Sequence, residues 1–296
     1  MDKKEILSKN VALLSEVSEK EAQMQTQGGL QPSIEAISRI IDLLKQIMFP
    51  GFFGAAVRDK ESRYYHVGVC MEELESKLRQ QIRLSFKCFK DQNVCEEESD
   101  KIALKFIETI PEIKRVLYTD IEAMSETDPA VTSFSEIIFC YPLIQVMINY
   151  RIAHALLVLG VPVLPRIITE MAHSKTGIDI HPGAQIGEYF SIDHGTGVVI
   201  GETSIIGNHV TLYQGVTLGA KKFTYNENGH PVNIPRHPIL EDNVTVYSNS
   251  SILGRITIGH DTVVGGNIWL TESVSPYSKI VQQKAVLDTF IDGAGI

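Results

Sequence analysis

The chain has 296 residues, which allows two modest domains or one domain with a long appendage. Hydrophobic residues make up 44% and charged residues 21%, the balance of a soluble globular protein, and the net charge of -9 without a basic tract argues against a nucleic-acid partner. The polar start "MDKKEILSKN" has no signal-peptide core. Four cysteines without CxxC spacing are typical of free thiols in a reducing cytoplasm.

Helical periodicity covers residues 1–170, and we expect an N-terminal all-α domain over this range. The first clear helix follows Ser33, a suitable N-cap, and stops at the proline and glycines of "FPGFFG". Its apolar face consists of Ile34, Ile37, Ile41 and Leu44. A second amphipathic helix is marked by Met71, Leu74, Leu78 and Ile82.

Further helical patterns cover roughly residues 100–115 and 135–160. The last of them is predicted to end at Gly160, Pro162 and Pro165. The most apolar stretch, 144–164, contains Asn149, Arg151 and His154. Because polar and charged side chains are rare inside a bilayer, this stretch predicts a buried helix and no membrane span.

From Gly177 onward the rhythm changes to one aliphatic residue every six positions, with small residues between. Fourteen such anchors occur in three runs: Ile180, Ile186, Ile192, Val198; Ile200, Ile206, Leu212, Leu218; Leu240, Val246, Ile252, Ile258, Val264, Leu270. Neither an amphipathic helix nor a simple strand has this period, whereas stacked coils of a parallel β-helix do. We therefore expect a β-helix over 171–275 and a C-terminal tail over 276–296.

Two interruptions break the six-residue rhythm. One is a two-residue slip inside "DHGTGVVIGE", and the other is the long polar segment 219–239, predicted as a loop insertion at about 219–238. Insertions in solenoids form loops on one face, often the binding face. Both interruptions carry a histidine beside a charged residue: Asp193–His194 and Arg236–His237.

A histidine oriented by a carboxylate is suited to removing a proton from a hydroxyl group. His194 has Asp193 beside it and Asp179 one repeat region earlier, but an Asp–His pair also caps turns, so spacing alone leaves both interpretations open. The chain has no GxSxG, GxGxxG or Walker pattern. A metal held by His181, His194 and His209 lacks the support of an HxxxH or CxxC pair, and no metal is expected.

Four segments in this order, "GIDIHPGAQIG", "DHGTGVVIGET", "QGVTLG" and "RHP", behind a helical lead-in containing "TDPAVTSFSEIIF" and "YRIAH", resemble the serine O-acetyltransferase family. The resemblance covers roughly residues 120–275, and upstream of this range only the helical character is shared. It implies an α+β protein, with an N-terminal all-α domain followed by a left-handed parallel β-helix of hexapeptide repeats. It also implies acetyl transfer from acetyl-CoA to the hydroxyl of L-serine, giving O-acetylserine in cysteine biosynthesis.

The resemblance also implies a role for each residue of the site. His194 is expected to be the general base, Asp179 its dyad partner and His237 a second catalytic histidine. The anions Asp128 and Asp193 are expected to bind the serine ammonium group and Arg236 its carboxylate, which suits a zwitterion. The backbone of Gly219 and Ala220 is expected to contact the acetyl-CoA thioester and the oxyanion formed from it.

Further expectations concern partners. Members of this family bind acyl-CoA between adjacent β-helices, which implies a homotrimer or a dimer of trimers. A C-terminal isoleucine, here Ile296, implies docking into O-acetylserine sulfhydrylase, and L-cysteine is an expected feedback inhibitor. The chain departs from the family pattern at Gln145, at Pro235 and in the long segment before "RHP".

Three alternatives stay open at this point. A different hexapeptide acyltransferase would use another acceptor, although Asp128, Asp193 and Arg236 argue against a sugar. A metalloenzyme resembling γ-type carbonic anhydrase would need three histidines at a subunit interface. A non-enzymatic scaffold would act only through its C-terminal tail.

Overall fold

The computed structural model describes residues 2–24, 31–89 and 96–283. Within these ranges the chain begins with helices: α1 Lys3–Ser15, α2 Glu19–Met24, α3 Ile34–Met48, α4 Lys60–Phe89, α5 Glu96–Thr127, α6 Phe134–Cys140, α7 Pro142–Val158 and α8 Leu164–Thr176. Ile296 lies outside the described residues, so docking through the C-terminus stays a prediction.

Helix α3 follows the signals in its sequence. The Ser33 hydroxyl caps it by accepting a hydrogen bond from the Ala36 amide at 3.1 Å, and the helix ends at Met48, just before the predicted stop. The N-terminal cap is thereby confirmed, and Ile37, Ile41 and Leu44 of the predicted apolar face are buried. Ile34 was wrongly assigned to that face, because it lies in the first turn and is 52% exposed.

The later helices are longer or more numerous than expected. Helix α5 continues through Pro111 to Thr127, and α8 forms where the last helical pattern was predicted to end. The predicted end of the helical pattern before Gly160 is confirmed, because α7 stops at Val158, but Pro165 lies in the first turn of a further helix, α8, where a proline needs no N–H partner. Helix α7 is largely buried, and none of the described helices combines the length and apolar character needed to cross a membrane.

The second half is a left-handed β-helix of about five coils with three parallel faces. Its strands are β1 Asp179–Ile180, β2 Gln185–Ile186, β3 Ser191–Asp193, β4 Val199–Ile200, β5 Ile205–Ile206, β6 Thr211–Tyr213, β7 Thr217–Gly219, β8 Ile239–Leu240, β9 Thr245–Val246, β10 Ser251–Leu253, β11 Thr257–Ile258, β12 Val263–Val264, β13 Trp269–Leu270 and β14 Lys279–Ile280. The first face is β1-β4-β7-β10-β13, the second β2-β5-β8-β11 and the third β3-β6-β9-β12-β14.

Strand register explains the six-residue rhythm. In a regular coil the paired residues are eighteen positions apart, as for Ile200 with Leu218 and Ile252 with Leu270. Twelve of the fourteen predicted anchors are buried along the axis, and only Ile186 and Leu270 are partly exposed. The predicted parallel β-helix is confirmed, because each coil buries its anchors only against the coils stacked on it.

Both interruptions of the rhythm appear as extra residues at corners. Ile180 pairs with Ile200, twenty positions later, so the first coil has two extra residues, and these lie in the corner between β3 and β4. Leu218 pairs with Ile252, thirty-four positions later, and the sixteen extra residues form an exposed loop between β7 and β8.

A buried ion pair joins the helices to the β-helix, and we call it the Asp120–Arg151 clamp. The Arg151 guanidinium donates two 2.8 Å hydrogen bonds to the Asp120 carboxylate and a third, also of 2.8 Å, to the Gly187 carbonyl. The Phe190 amide donates to the same carboxylate at 3.2 Å. Helices α5 and α7 are thereby fixed against the turn that precedes β3.

Candidate active site

The corner between β3 and β4 presents His194 to solvent. His194 and Gly195 both have left-handed backbone conformations, with φ of 58° and 81°. A Cβ atom on Gly195 would lie 2.5 Å from the Ile178 side chain, so this position requires glycine both for its conformation and for its close packing. The turn leaves the His194 side chain 71% exposed, with its Nδ1 3.6 Å from Oδ1 of the half-buried Asp193.

Asp128 approaches this corner from the end of α5. Its carboxylate accepts a 2.6 Å hydrogen bond from the Tyr141 hydroxyl and a 2.8 Å bond from the Ala130 amide. These two bonds, with a smaller contribution from His194, hold the pKa of Asp128 below its usual range. Asp128 therefore stays ionised well below neutral pH.

Tyr141 is a site residue that the sequence interpretation missed. It is the N-cap of α7, directly before Pro142, and the hydrogen bond to Asp128 raises the pKa of its hydroxyl to about 12. The Tyr–Pro pair signals the start of a helix, but no sequence pattern indicates that the hydroxyl reaches Asp128, thirteen residues away.

Two stacked tyrosines extend the site along the third face. Tyr213 pairs with Asp193 in the strand register, and its ring stacks on Tyr247 with 4.8 Å between the ring centroids. Burial raises the pKa of Tyr213, and Tyr247, Asp193 and Asp128 act in the same direction. Two carboxylates and two aromatic rings thus lie close together, a combination that attracts an ammonium group.

Asp179 lies on β1, at the start of the coil that closes at the His194 corner, and it pairs with Val199 of the next coil. Glu170 and His173 of α8 lie near it, with one ligand atom from each of the three residues within 4.8 Å of the others. In the described ranges no hydrogen bond or ion pair joins Asp179 to His194, whereas Asp193 is close to it. The dyad of His194 with Asp179 therefore stays a prediction.

The histidine triad considered for a metal is not assembled within one chain. Of the described side chains, Glu170, His173 and Asp179 are the group close enough to share an ion. Glu170 in this group is also paired with the Arg166 guanidinium. His181, His194 and His209 form no such group in the described part of the chain.

Arg236 and His237 follow the long loop, at the corner between the first and second faces. The Arg236 guanidinium donates to Glu202 at 2.6 Å and to the Asn233 side chain at 2.9 Å. Its backbone amide donates to the Thr203 hydroxyl at 2.9 Å. The guanidinium is thus held by Glu202 and Asn233, with the Arg236 side chain 22% exposed.

His237 is buried at the same corner, two residues before β8. Its Nδ1 accepts a 3.0 Å hydrogen bond from the Thr203 amide, so in the neutral ring the proton is on Nε2. Its ring lies against Gly201, where a Cβ atom would come within 2.0 Å of it. Burial, followed by the charge of Arg236, lowers the pKa of His237 to about 4, so the ring is a neutral N–H donor at physiological pH.

A cleft of about 190 Å³ lies beside this corner, between the long loop and β10. Lys221, Lys222, Arg236 and Arg255 line it together with apolar residues of the loop and β10. Gly219 and Ala220 directly precede the two lysines. The cleft combines positive charge with apolar walls, which suits an elongated anionic ligand with an apolar segment.

Within one chain the two histidine corners are separate. His194 lies between the third and first faces, and His237 lies between the first and second faces. The corners therefore border opposite edges of the first face. In the described ranges no contact joins His194 to Arg236 or His237, so one chain does not bring together the six side chains predicted for catalysis and serine binding.

These features define a hexapeptide-repeat protein: a left-handed β-helix behind a helical lead-in, with a histidine beside an aspartate at one corner and a positively charged cleft at another. The serine acetyltransferase (plasmid) of Synechococcus elongatus is 43% identical over 277 residues, covering 90% of this chain and 86% of that protein. The chain belongs to the serine acetyltransferase family. No family model matches it.

Other similar proteins and solved structures are also serine acetyltransferases. The serine acetyltransferase of Bacillus subtilis is 41% identical over 167 residues, covering 56% of this chain and 73% of that protein. Entamoeba histolytica serine acetyltransferase 1 in complex with L-cysteine superposes with a TM-score of 0.73 at 37% identity, covering 82% of this chain and 86% of that one. Isoform 3 in complex with cysteine gives 0.71 at 32% identity, with 86% and 84% covered.

Proposed function

We propose that this protein transfers the acetyl group of acetyl-CoA to the hydroxyl of L-serine, giving O-acetylserine and CoA. The observation that carries the proposal is the corner where the exposed His194 meets the carboxylates Asp193 and Asp128. A base beside two anions fits a hydroxyl-bearing ammonium compound. It favours such a compound over a neutral sugar, and a scaffold would not need it.

The chemistry follows from the charges. Asp128 and Asp193 bind the ammonium group, and Arg236 binds the carboxylate after exchanging its contact with Glu202. His194 takes the proton from the serine hydroxyl while that oxygen forms a bond to the thioester carbonyl carbon. The carbon–sulfur bond then breaks, and the imidazolium of His194 returns the proton to the departing thiolate.

His237 is suited to a different role from His194. Its low pKa keeps it neutral, and Thr203 leaves its proton on Nε2. We propose that it donates a hydrogen bond to the serine oxygen or to the oxyanion and that backbone amides at Gly219 and Ala220 also stabilise the oxyanion. The cleft beside Lys221 and Lys222 is the proposed acyl-CoA site.

The direct test measures thiol release from acetyl-CoA with L-serine, L-threonine and L-homoserine as acceptors. Release that requires L-serine supports the proposal. Release with another acceptor only, from correctly folded protein, identifies a different acyltransferase, and no release with any acceptor contradicts the assignment.

We further propose that each site is completed by a neighbouring copy, because the two histidine corners of one chain are separate. In a cyclic trimer, co-expressing equal amounts of His194→Ala and Arg236→Ala chains should restore about a quarter of the wild-type activity, since one intact site forms in every mixed trimer. Each variant alone should be inactive. The measurement is the activity of co-expressed chains, and activity no higher than in the separate variants would place the site within one chain.

Replacing Tyr141 with phenylalanine is expected to raise KM for L-serine roughly 2–10-fold, the range for one hydrogen bond. The pKa of Asp128 should rise towards its usual range, so L-serine binding should be lost at a higher pH than in the wild type as the pH falls. The measurement is kcat/KM for L-serine against pH. The control Tyr64→Phe changes an exposed tyrosine of α4, and an acid limb that moves equally in both variants would contradict this role.

L-cysteine carries the same ammonium and carboxylate groups as L-serine. We therefore propose that it occupies the same residues and competes with L-serine. Initial rates at low L-serine should fall when L-cysteine is added and recover at high L-serine. Docking of the Ile296 peptide into O-acetylserine sulfhydrylase is a further proposal, for which loss of the complex on deletion of Ile296 is the expected result.

A further inference from the structure

A second cavity lies in the helical half, and Tyr141, whose hydroxyl donates to Asp128, is one of its walls. It has a volume of about 270 Å³ and is enclosed by the end of α3, the α6–α7 junction and the end of α8. Its walls include Lys45, Lys175 and Gln145 together with apolar side chains such as Phe53 and Ile148. Neither Asp128, Asp193 nor His194 lines it. We call it the lysine cavity.

Two like charges face this cavity without a neutralising partner. Its lining contains no carboxylate, and in the described ranges neither Lys45 nor Lys175 has a carboxylate oxygen within 4.0 Å. Burial lowers the pKa of Lys45, and Lys175 lowers it further, while Asp42 opposes these effects more weakly. The two ammonium groups therefore destabilise each other, and a bound anion would relieve this repulsion.

The fold explains how the two lysines are kept together. Each lies in the last turn of its helix, α3 or α8, where the unpaired carbonyl groups favour a cation. The Lys45 ammonium also lies 6.0 Å from the centroid of the Phe53 ring. These interactions hold the cations in place but do not neutralise them.

Gln145 adds an uncharged donor. Its side chain makes no hydrogen bond to another described residue, so its amide N–H group is available to a ligand. Two ammonium groups and an amide around one cavity match the oxygens of a small anion better than they match a cation or a neutral molecule.

We propose that the lysine cavity binds a small oxyanion with two negative charges, held by Lys45 and Lys175. Inorganic phosphate and a short dicarboxylate share this chemistry, and the volume accommodates either. The proposal does not depend on the acetyltransferase assignment, because its test measures binding and stability rather than activity.

The experiment follows the Tm of the full-length protein in phosphate, succinate or chloride at equal ionic strength. At an anion concentration roughly ten times Kd, the wild-type Tm should rise by about 2–5 °C relative to chloride. In Lys45→Met and Lys175→Met the Kd from isothermal titration should weaken at least about tenfold, the effect of one charge-assisted contact. Without added anion, Lys45→Met should melt at or above the wild-type temperature, because the repulsion is gone.

Two control variants separate binding in the lysine cavity from a general effect of removing a positive charge. Lys105→Met removes an exposed lysine of α5 and should leave the shift intact. Lys222→Met removes a cation of the cleft beside the long loop and should also leave it intact. A shift with phosphate only or succinate only identifies the kind of oxyanion. No shift in the wild type, an equal shift in both lysine-cavity variants, or a shift lost only in Lys222→Met would overturn the proposal.

Discussion

Replacing His194 with alanine is expected to reduce kcat for L-serine acetylation by roughly 10²–10⁴, the range for removal of a general base. The side chain is 71% exposed, so little packing is lost and the variant should fold like the wild type. The measurement is thiol release from acetyl-CoA at saturating L-serine, together with the melting temperature.

The β-helix provides a matched control. His260 and Asp261 form a second solvent-exposed pair, with 2.7 Å between Nδ1 and the carboxylate oxygen, at a corner of a later coil. His260→Ala should retain nearly full activity. If His194→Ala keeps more than about a tenth of the wild-type kcat, well above the range for loss of a base, His194 is not the base.

The same assay assigns the carboxylate partner of His194. If Asp179 orients the ring, Asp179→Asn should lower kcat and leave KM for L-serine nearly unchanged. If Asp193 binds the ammonium group, Asp193→Asn should mainly raise KM. The opposite pattern, a lower kcat in Asp193→Asn and a raised KM in Asp179→Asn, would contradict these roles. It would make Asp193 the carboxylate that orients the ring, which its 3.6 Å distance from Nδ1 allows.

Removing Asp120 is expected to have the largest effect on stability. Asp120→Ala leaves the Arg151 guanidinium, 9% exposed, without its carboxylate, and breaking a buried pair in this way destabilises a protein by about 3–5 kcal/mol. The free energy of unfolding from denaturant titration measures the effect. Replacing both partners with apolar residues, Asp120→Leu together with Arg151→Met, should recover most of the lost free energy of unfolding.

A surface pair supplies the comparison. Arg39 and Glu73 also form a bidentate ion pair, but their side chains are 45% and 35% exposed. Glu73→Ala should therefore change the free energy of unfolding by about 0–1 kcal/mol. An Asp120→Ala effect no larger than this would mean that the clamp contributes little. A large effect would also weaken L-serine binding, because Asp128 directly follows α5, about two turns beyond Asp120.

The β-helix was predictable because its signal is periodic. An anchor every six residues indicates stacked coils, and the register of Ile200 with Leu218 follows from that period. The corner at His194 was also visible, since two extra residues disturb a regular repeat. Helix α8 was not predicted, because a proline such as Pro165 can mark either the end of one helix or the first turn of the next.

The candidate site was only partly predictable. Sequence neighbours such as Asp193 and His194 lie together, but the Tyr141–Asp128 hydrogen bond depends on how α5 and α7 pack. The separation of His194 from His237 depends on which faces of the β-helix their corners join, and this requires the strand order. Tertiary packing, which leaves no local pattern, decided both.

The left-handed backbone at His194 affects how this protein can evolve. A residue with a side chain is about 1–2 kcal/mol less stable than glycine in that conformation, so His194→Gly should yield a more robust but inactive chain. Thermostability and turnover are therefore in conflict at this one position. A laboratory selection for heat resistance that does not also demand catalysis should lose this histidine early.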